Sequence, residues 1–104
     1  MPTFLMISRH SPESCPMLNE KTRKVYMEYL SKLDGLFKKH GIKNLWGGAV
    51  ISEHLTVAIC EAPSLEAFNK LCMEPEILAI SAYETCEVKL AMSMEEALKM
   101  LKGK

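Results

Sequence analysis

Residues 43–61, KNLWGGAVISEHLTVAICE, decide the fold. They read as two strands in direct succession, the second alternating Leu55, Val57, Ile59 with His54, Thr56, Ala58, Cys60. The first spans Lys43–Ser52, with Gly47–Gly48 marking a bulge or a close backbone contact. Ser52–Glu53 supplies a short turn, and the second strand runs from His54 to Glu61. Helical spacing lies on both sides of this hairpin. Upstream, Tyr26, Tyr29, Leu30, Leu33, Leu36 and Phe37 recur every three or four residues, predicting a helix from Asn19 to His40. Asn19 is its N-cap and Glu20 suits its first turn. Lys38, Lys39 and a solvated His40 suit the negative end of its dipole, and Gly41 is the C′ residue. Gly35 inside this helix costs ~1 kcal/mol relative to alanine, and a tight approach to the sheet would account for it. Downstream, Pro63–Ser64 opens a second helix carrying Leu65, Phe68, Leu71 and Cys72. Pro75 breaks it, and EILAISA (76–82) reads as a short apolar turn.

Further out, TFLMISRH (3–10) is a strand, followed by a loop that Pro12 and Pro16 keep out of a long helix. Tyr83–Met92 is the last strand. Ser93 and Glu96 form a capping box that opens a short helix ending at Leu101. The order is β-α-β-β-α-β plus a C-terminal helix. This is the split βαβ pattern of an α+β, ferredoxin-like antiparallel sheet, expected to form one domain over residues 1–104.

Composition narrows the function classes. Thirteen basic and thirteen acidic residues cancel, and 48% of residues are hydrophobic. That excludes intrinsic disorder. The chain lacks the basic stripe needed to displace counterions from a phosphate backbone, so nucleic acid is not an expected partner. No run approaches the ~20 apolar residues of a membrane span, and the N-terminus lacks a basic leader. A cytoplasmic location with reduced thiols is expected. Of the four cysteines, Cys60 and Cys86 fall in apolar strand patterns as small buried hydrophobes. Cys15 falls in a polar loop and is expected to be the most reactive.

The strand order, EAPSLEAFNKL (61–71) and MEPEILAISAYE (73–84) together resemble the dimeric α+β barrel superfamily. That superfamily includes the GYD-domain proteins, the stress-responsive A/B barrels and the antibiotic-biosynthesis monooxygenases. The resemblance spans nearly the whole chain. It implies a dimer with sheets packed face to face and a ligand cavity near each sheet. It does not select one chemistry, since monooxygenases, haem-active enzymes and small-molecule binders share the fold.

Alternation also locates a candidate site. Leu5, Ile7, Leu55, Val57 and Ile59 are expected to face the helices. Phe4, Met6, Ser8 and His10 share the opposite face with His54, Thr56, Ala58 and Cys60. That face, uncovered by helices, would drive assembly into a homodimer or higher even oligomer. The first and third strands are antiparallel neighbours in this fold, so His10 and His54 meet at one end of the sheet. Cys15 and Glu13 follow in the adjoining loop, and Glu74 and Tyr83 are expected at the same end. Two imidazoles, a thiolate and a carboxylate suit a divalent metal, zinc first, with His10, Cys15 and His54 as ligands and Glu13 as fourth ligand or base. The spacing matches no standard zinc motif, and strand-end histidines without a ligand are the plain alternative. Two further readings stay open. In one, His10 or His54 is the general base of a cofactor-free oxygenase or isomerase, holding an aromatic or dicarbonyl substrate against Trp46 and Tyr83. In the other, the chain is a ligand sensor or assembly module with no chemistry.

Overall fold

A computed structural model describes residues 1–104. The elements are β1 (Thr3–His10), α1 (Glu20–Lys39), β2 (Lys43–Val50), β3 (Leu55–Glu61), α2 (Leu65–Leu71), α3 (Pro75–Ile80), β4 (Glu84–Ala91) and α4 (Met94–Lys102), with 3-10 turns at Pro12–Ser14 and Ile51–Glu53. The four strands form one antiparallel sheet in the order β2-β3-β1-β4. This is the expected α+β, ferredoxin-like arrangement. The caps follow the sequence: Asn19 Oδ1 accepts from Thr22 N–H, and Ser93 Oγ accepts from Glu96 N–H. Gly41 adopts φ 71°, the left-handed conformation that glycine enters without steric cost.

Several stretches differ from their expected form. Ile51 and Ser52, expected to end the second strand, lie in the 3-10 turn Ile51–Glu53, and His54, expected to begin the third, lies just before it. EILAISA is helical through Ile80, with Pro75 at its start, where a missing N–H costs nothing. Gly35 meets no atom within 4 Å of a notional Cβ, so no close approach to the sheet explains it.

The larger correction concerns the sheet faces. Phe4 and Cys60 are buried in one cluster with Phe37, Ile42, Ala62, Phe68 and Leu71, and Met6, Ala58 and Val88 pack against it. The Phe4 and Phe68 rings meet edge to face at 5.1 Å. The face carrying Phe4, Met6, Ser8 and His10 is therefore the one under the helices. Leu5, Ile7, Leu55, Val57 and Ile59 lie on the outer face, where no helix covers them. Trp46 belongs to this outer face, 56% exposed, with its ring over Gly48. A Cβ on Gly48 would lie 2.6 Å from that ring, so a side chain there would push the exposed indole aside. The bulge between Asn44 and Trp46 makes the strand twist locally.

Phe68 is 1% exposed at the centre of the core. Phe68→Ala is expected to cost about 3–5 kcal/mol, as large-to-small core substitutions do, read as a lower urea midpoint at unchanged slope.

The C-terminus of α1 is tied to the α2–α3 connection. His40 Nε2 lies 2.9 Å and Lys39 Nζ 2.7 Å from Glu74 Oε1. His40 is thus a paired side chain, 13% exposed, rather than a solvated cap. Glu74 belongs to this pairing and not to the end of the sheet where His10 lies. Hydrogen bonds from Lys39 and His40 hold the Glu74 carboxyl below its ordinary value of 4.5. A lowered folded-state pKa adds stability above the unfolded value that is lost as pH falls through the folded one. The melting-temperature gap between wild type and Glu74→Gln should therefore close on acidification below about pH 4.5. A gap that is constant with pH would refute this.

Helix α4 buries no residue, and Met94, Leu98 and Leu101 along it are exposed. The radius of gyration is 15.2 Å, against about 13 Å for a compact chain of 100 residues. No helix is long and apolar enough to cross a membrane.

Candidate functional site

The space between the sheet and α1 is not filled by side chains. A cavity of about 350 Å³ lies there, lined mainly by apolar groups including Met6, Leu33, Phe37 and Ala58. Tyr26 and Tyr29 enter it from α1, and Glu84 closes one end from the start of β4. The Tyr26 hydroxyl donates to Glu84 Oε2. Burial raises the Glu84 carboxyl above its ordinary value, and the Tyr26 hydrogen bond opposes this only in part. Tyr26 is pushed far above the usual phenol range, first by burial and then by its bond to Glu84. Tyr29 is raised too, again by burial first. Both phenols are neutral donors at pH 7. A half-buried carboxyl with a raised pKa beside a neutral phenol is the arrangement expected of an acid–base group in a ligand cavity.

A second cavity of about 330 Å³ adjoins the first across Tyr26, and His10, Cys15 and His54 line it. The backbone explains their meeting. Arg9 pairs with Leu55 at the end of the β1–β3 ladder, and His10 N–H donates to the His54 carbonyl at 3.1 Å one step further on. The two imidazole centroids are 5.5 Å apart. His54 is the one non-glycine residue with positive φ, at φ 54°, ψ 45°. That conformation is uncommon outside glycine, with histidine among the types that tolerate it better. It ends the Ile51–Glu53 turn and delivers the side chain to the site. Cys15 is 4% exposed. Its carbonyl accepts from Leu18 and Asn19 N–H, while its own N–H donates to Pro12. Arg23 donates to the Pro16 and Met17 carbonyls, and Asn19 Nδ2 to the Glu13 carbonyl, so the loop is pinned to the start of α1. One ligand atom each from His10, Cys15 and His54 falls within 4.8 Å of the others. Burial, and next the charge of His54, push the His10 imidazole below its ordinary value.

Three of the four expected site residues thus converge. Glu13 is exposed on the Pro12–Ser14 turn and lies outside the cluster. Trp46 and Tyr83 do not line the sheet–α1 cavity; its aromatic residues are Tyr26, Tyr29 and Phe37. Cys15 is buried, whereas Cys72 and Cys86 are exposed and offer alkylating reagents easier access. Cys60 is fully buried as expected, which pushes its thiol up to about 11.

An antibiotic biosynthesis monooxygenase superposes with a TM-score of 0.56 at 16% identity, covering 90% of this chain and 99% of that one. A Rhodopseudomonas palustris protein of unknown function gives 0.55 at 18% identity, over 88% and 84% of the two chains. The chain shares their fold. SnoaB, a cofactor-independent oxygenase from Streptomyces nogalater, gives 0.50 at 14% identity over 89% and 94%. None of these three is described as a GYD-domain protein. No family model matches the sequence, and no curated protein does.

Proposed function

We propose that this one-domain chain is a cytoplasmic, homodimeric enzyme, a cofactor-free oxygenase acting on a planar, mostly apolar substrate held between the sheet and α1. The observation that carries this reading is the Glu84–Tyr26 pair set at the end of an otherwise apolar cavity. The substrate class is a carbon acid such as a cyclic 1,3-dicarbonyl or a fused phenol, whose anion can give electrons to dioxygen directly. The Glu84 carboxylate takes the proton from an activated methylene. The carbanion then adds dioxygen, and loss of water from the hydroperoxide leaves a ketone: R2CH2 + O2 gives R2CO + H2O. Tyr26 remains protonated and donates to Glu84 or to the substrate oxygen on which charge develops. The shared fold with SnoaB supports this chemistry. The base moves from the histidines to Glu84 because Glu84 lines the cavity and His10 and His54 lie beyond Tyr26.

A second copy of the chain is the natural cover for the outer sheet face. Leu5, Ile7, Leu55, Val57, Ile59 and Trp46 form an apolar surface, and two such sheets pack at ~10 Å.

The experiment is oxygen uptake by chelator-treated protein, with a panel of cyclic 1,3-dicarbonyls and hydroxynaphthalenes. Uptake matched by one ketone product per dioxygen is expected. No uptake, with no ligand-induced rise in melting temperature across the panel, would overturn the reading.

A further inference from the structure

We propose that His10, Cys15 and His54 form a binding site for one divalent zinc-class ion per chain at the junction of the β1–β3 end and the loop before α1. The donor set is two imidazole nitrogens and one thiol sulfur, all within 4.8 Å of one another. Tetrahedral zinc with bonds of ~2.0–2.1 Å to nitrogen and ~2.3 Å to sulfur sets donors about 3.3–3.6 Å apart. Small side-chain rotations about fixed backbones cover the difference.

One observation points to a ligand here, and two others describe how the site is held. Both ring nitrogens of His10 and Nδ1 of His54 are sealed from solvent and have no hydrogen-bond partner. Buried polar atoms are ordinarily paired, and unpaired ones mark a missing water or ion. Second, His54 holds a left-handed backbone that no other non-glycine residue of the chain adopts. Such outliers cluster at ligand clamps. Third, the Cys15 loop is fixed by Arg23 and Asn19 before any metal arrives, so the sulfur is presented rather than recruited.

Two imidazoles and a thiolate favour zinc over the oxygen-loving alkaline-earth ions. Three protein ligands would leave a fourth position open, and the cavity that His10, Cys15 and His54 line, with its apolar Met17, Met27, Leu30 and Ile51, has room beside it. A water or an anionic small molecule can fill it. Zinc has no redox chemistry of its own, so the site is compatible with the oxygenase reading and does not depend on it.

The test uses untagged full-length protein, stripped with a chelator and then loaded with Zn2+ or Co2+. One zinc per chain is expected to survive gel filtration. The cobalt form should show tetrahedral d–d absorption and a thiolate-to-cobalt charge-transfer band. Cys15→Ser should remove that band. His10→Phe and His54→Gly should reduce zinc to substoichiometric levels, with far-ultraviolet circular dichroism unchanged; glycine keeps the left-handed backbone at 54 without strain. Cys86→Ser, at an exposed thiol, should leave binding intact. Loss of both metals in one gel-filtration step, or full retention in the His10 and His54 variants, overturns the site. Oxygen uptake by Glu84→Gln tests only the oxygenase reading, so the two can fail separately.

Discussion

Glu84→Gln is expected to lower turnover about 10²- to 10⁴-fold, the usual contribution of a positioned general base. Glutamine keeps an oxygen acceptor for the Tyr26 hydroxyl but cannot take a proton. The pH profile gives the sign. Burial raises the Glu84 carboxyl above 4.5, and the base is the deprotonated form. The wild-type rate should therefore climb as pH rises through that elevated value, and the Gln variant should lose this limb. Stability moves the other way. A raised folded-state pKa means the fold favours the protonated carboxyl, and this advantage disappears as pH rises past the folded value. Above that folded-state value the Gln variant, neutral where the wild type carries a half-buried charge, should melt no lower than wild type. Activity loss without stability loss separates a base from a structural carboxylate. A variant that lost both together, or neither, would remove Glu84 from the chemistry. Tyr26→Phe should have a smaller effect, because it removes one hydrogen bond to the pair and leaves the base in place.

The sequence located most strands and helices because their signals are local. Asn19 and Ser93 each accept from the N–H three residues on, as N-caps do. Gly41 takes the left-handed turn that its place after the helix requires. Which sheet face the helices cover was not legible. Period-two alternation divides β1 into Phe4, Met6, Ser8, His10 and Leu5, Ile7, Arg9, but both sets begin apolar, and nothing local says which meets a helix. Only the packing of Phe68 on Phe4 decides it. The meeting of His10 and His54 survives this inversion. It depends on the end of β1 lying beside the start of β3, which the inversion leaves unchanged; His54 itself precedes β3 in a left-handed conformation that alternation does not predict. Glu84 and Tyr26 carry no local signal, for a different reason. Tyr26 fits the apolar stripe of α1 without remainder, and Glu84 stands at a strand boundary where a carboxylate is ordinarily solvated. Their link spans 58 residues of sequence and is visible only once β4 pairs with β1.

Val57→Asp is expected to convert the proposed dimer to a monomer. Val57 lies inside the outer face, between Ile7 of β1 and Gly48 of β2, with Trp46 folded over that glycine. Burying an unpaired carboxylate costs about 3–5 kcal/mol, or about 10²–10⁴ in Kd. A two-fold axis brings the substitution into the interface twice. The monomer itself should tolerate it, since the aspartate then faces water. Light scattering at micromolar concentration should give twice the chain mass for wild type and the single mass for Val57→Asp, with matching circular dichroism. Leu90→Asp is the control. Leu90 pairs with Phe4 and so projects from the helix-side face of β4, where it is 71% exposed. A charge there does not touch the outer face and should leave the dimer intact. A wild-type monomer would show that the outer face is not a self-association surface. Equal weakening by both substitutions would place the interface on the β4 edge instead.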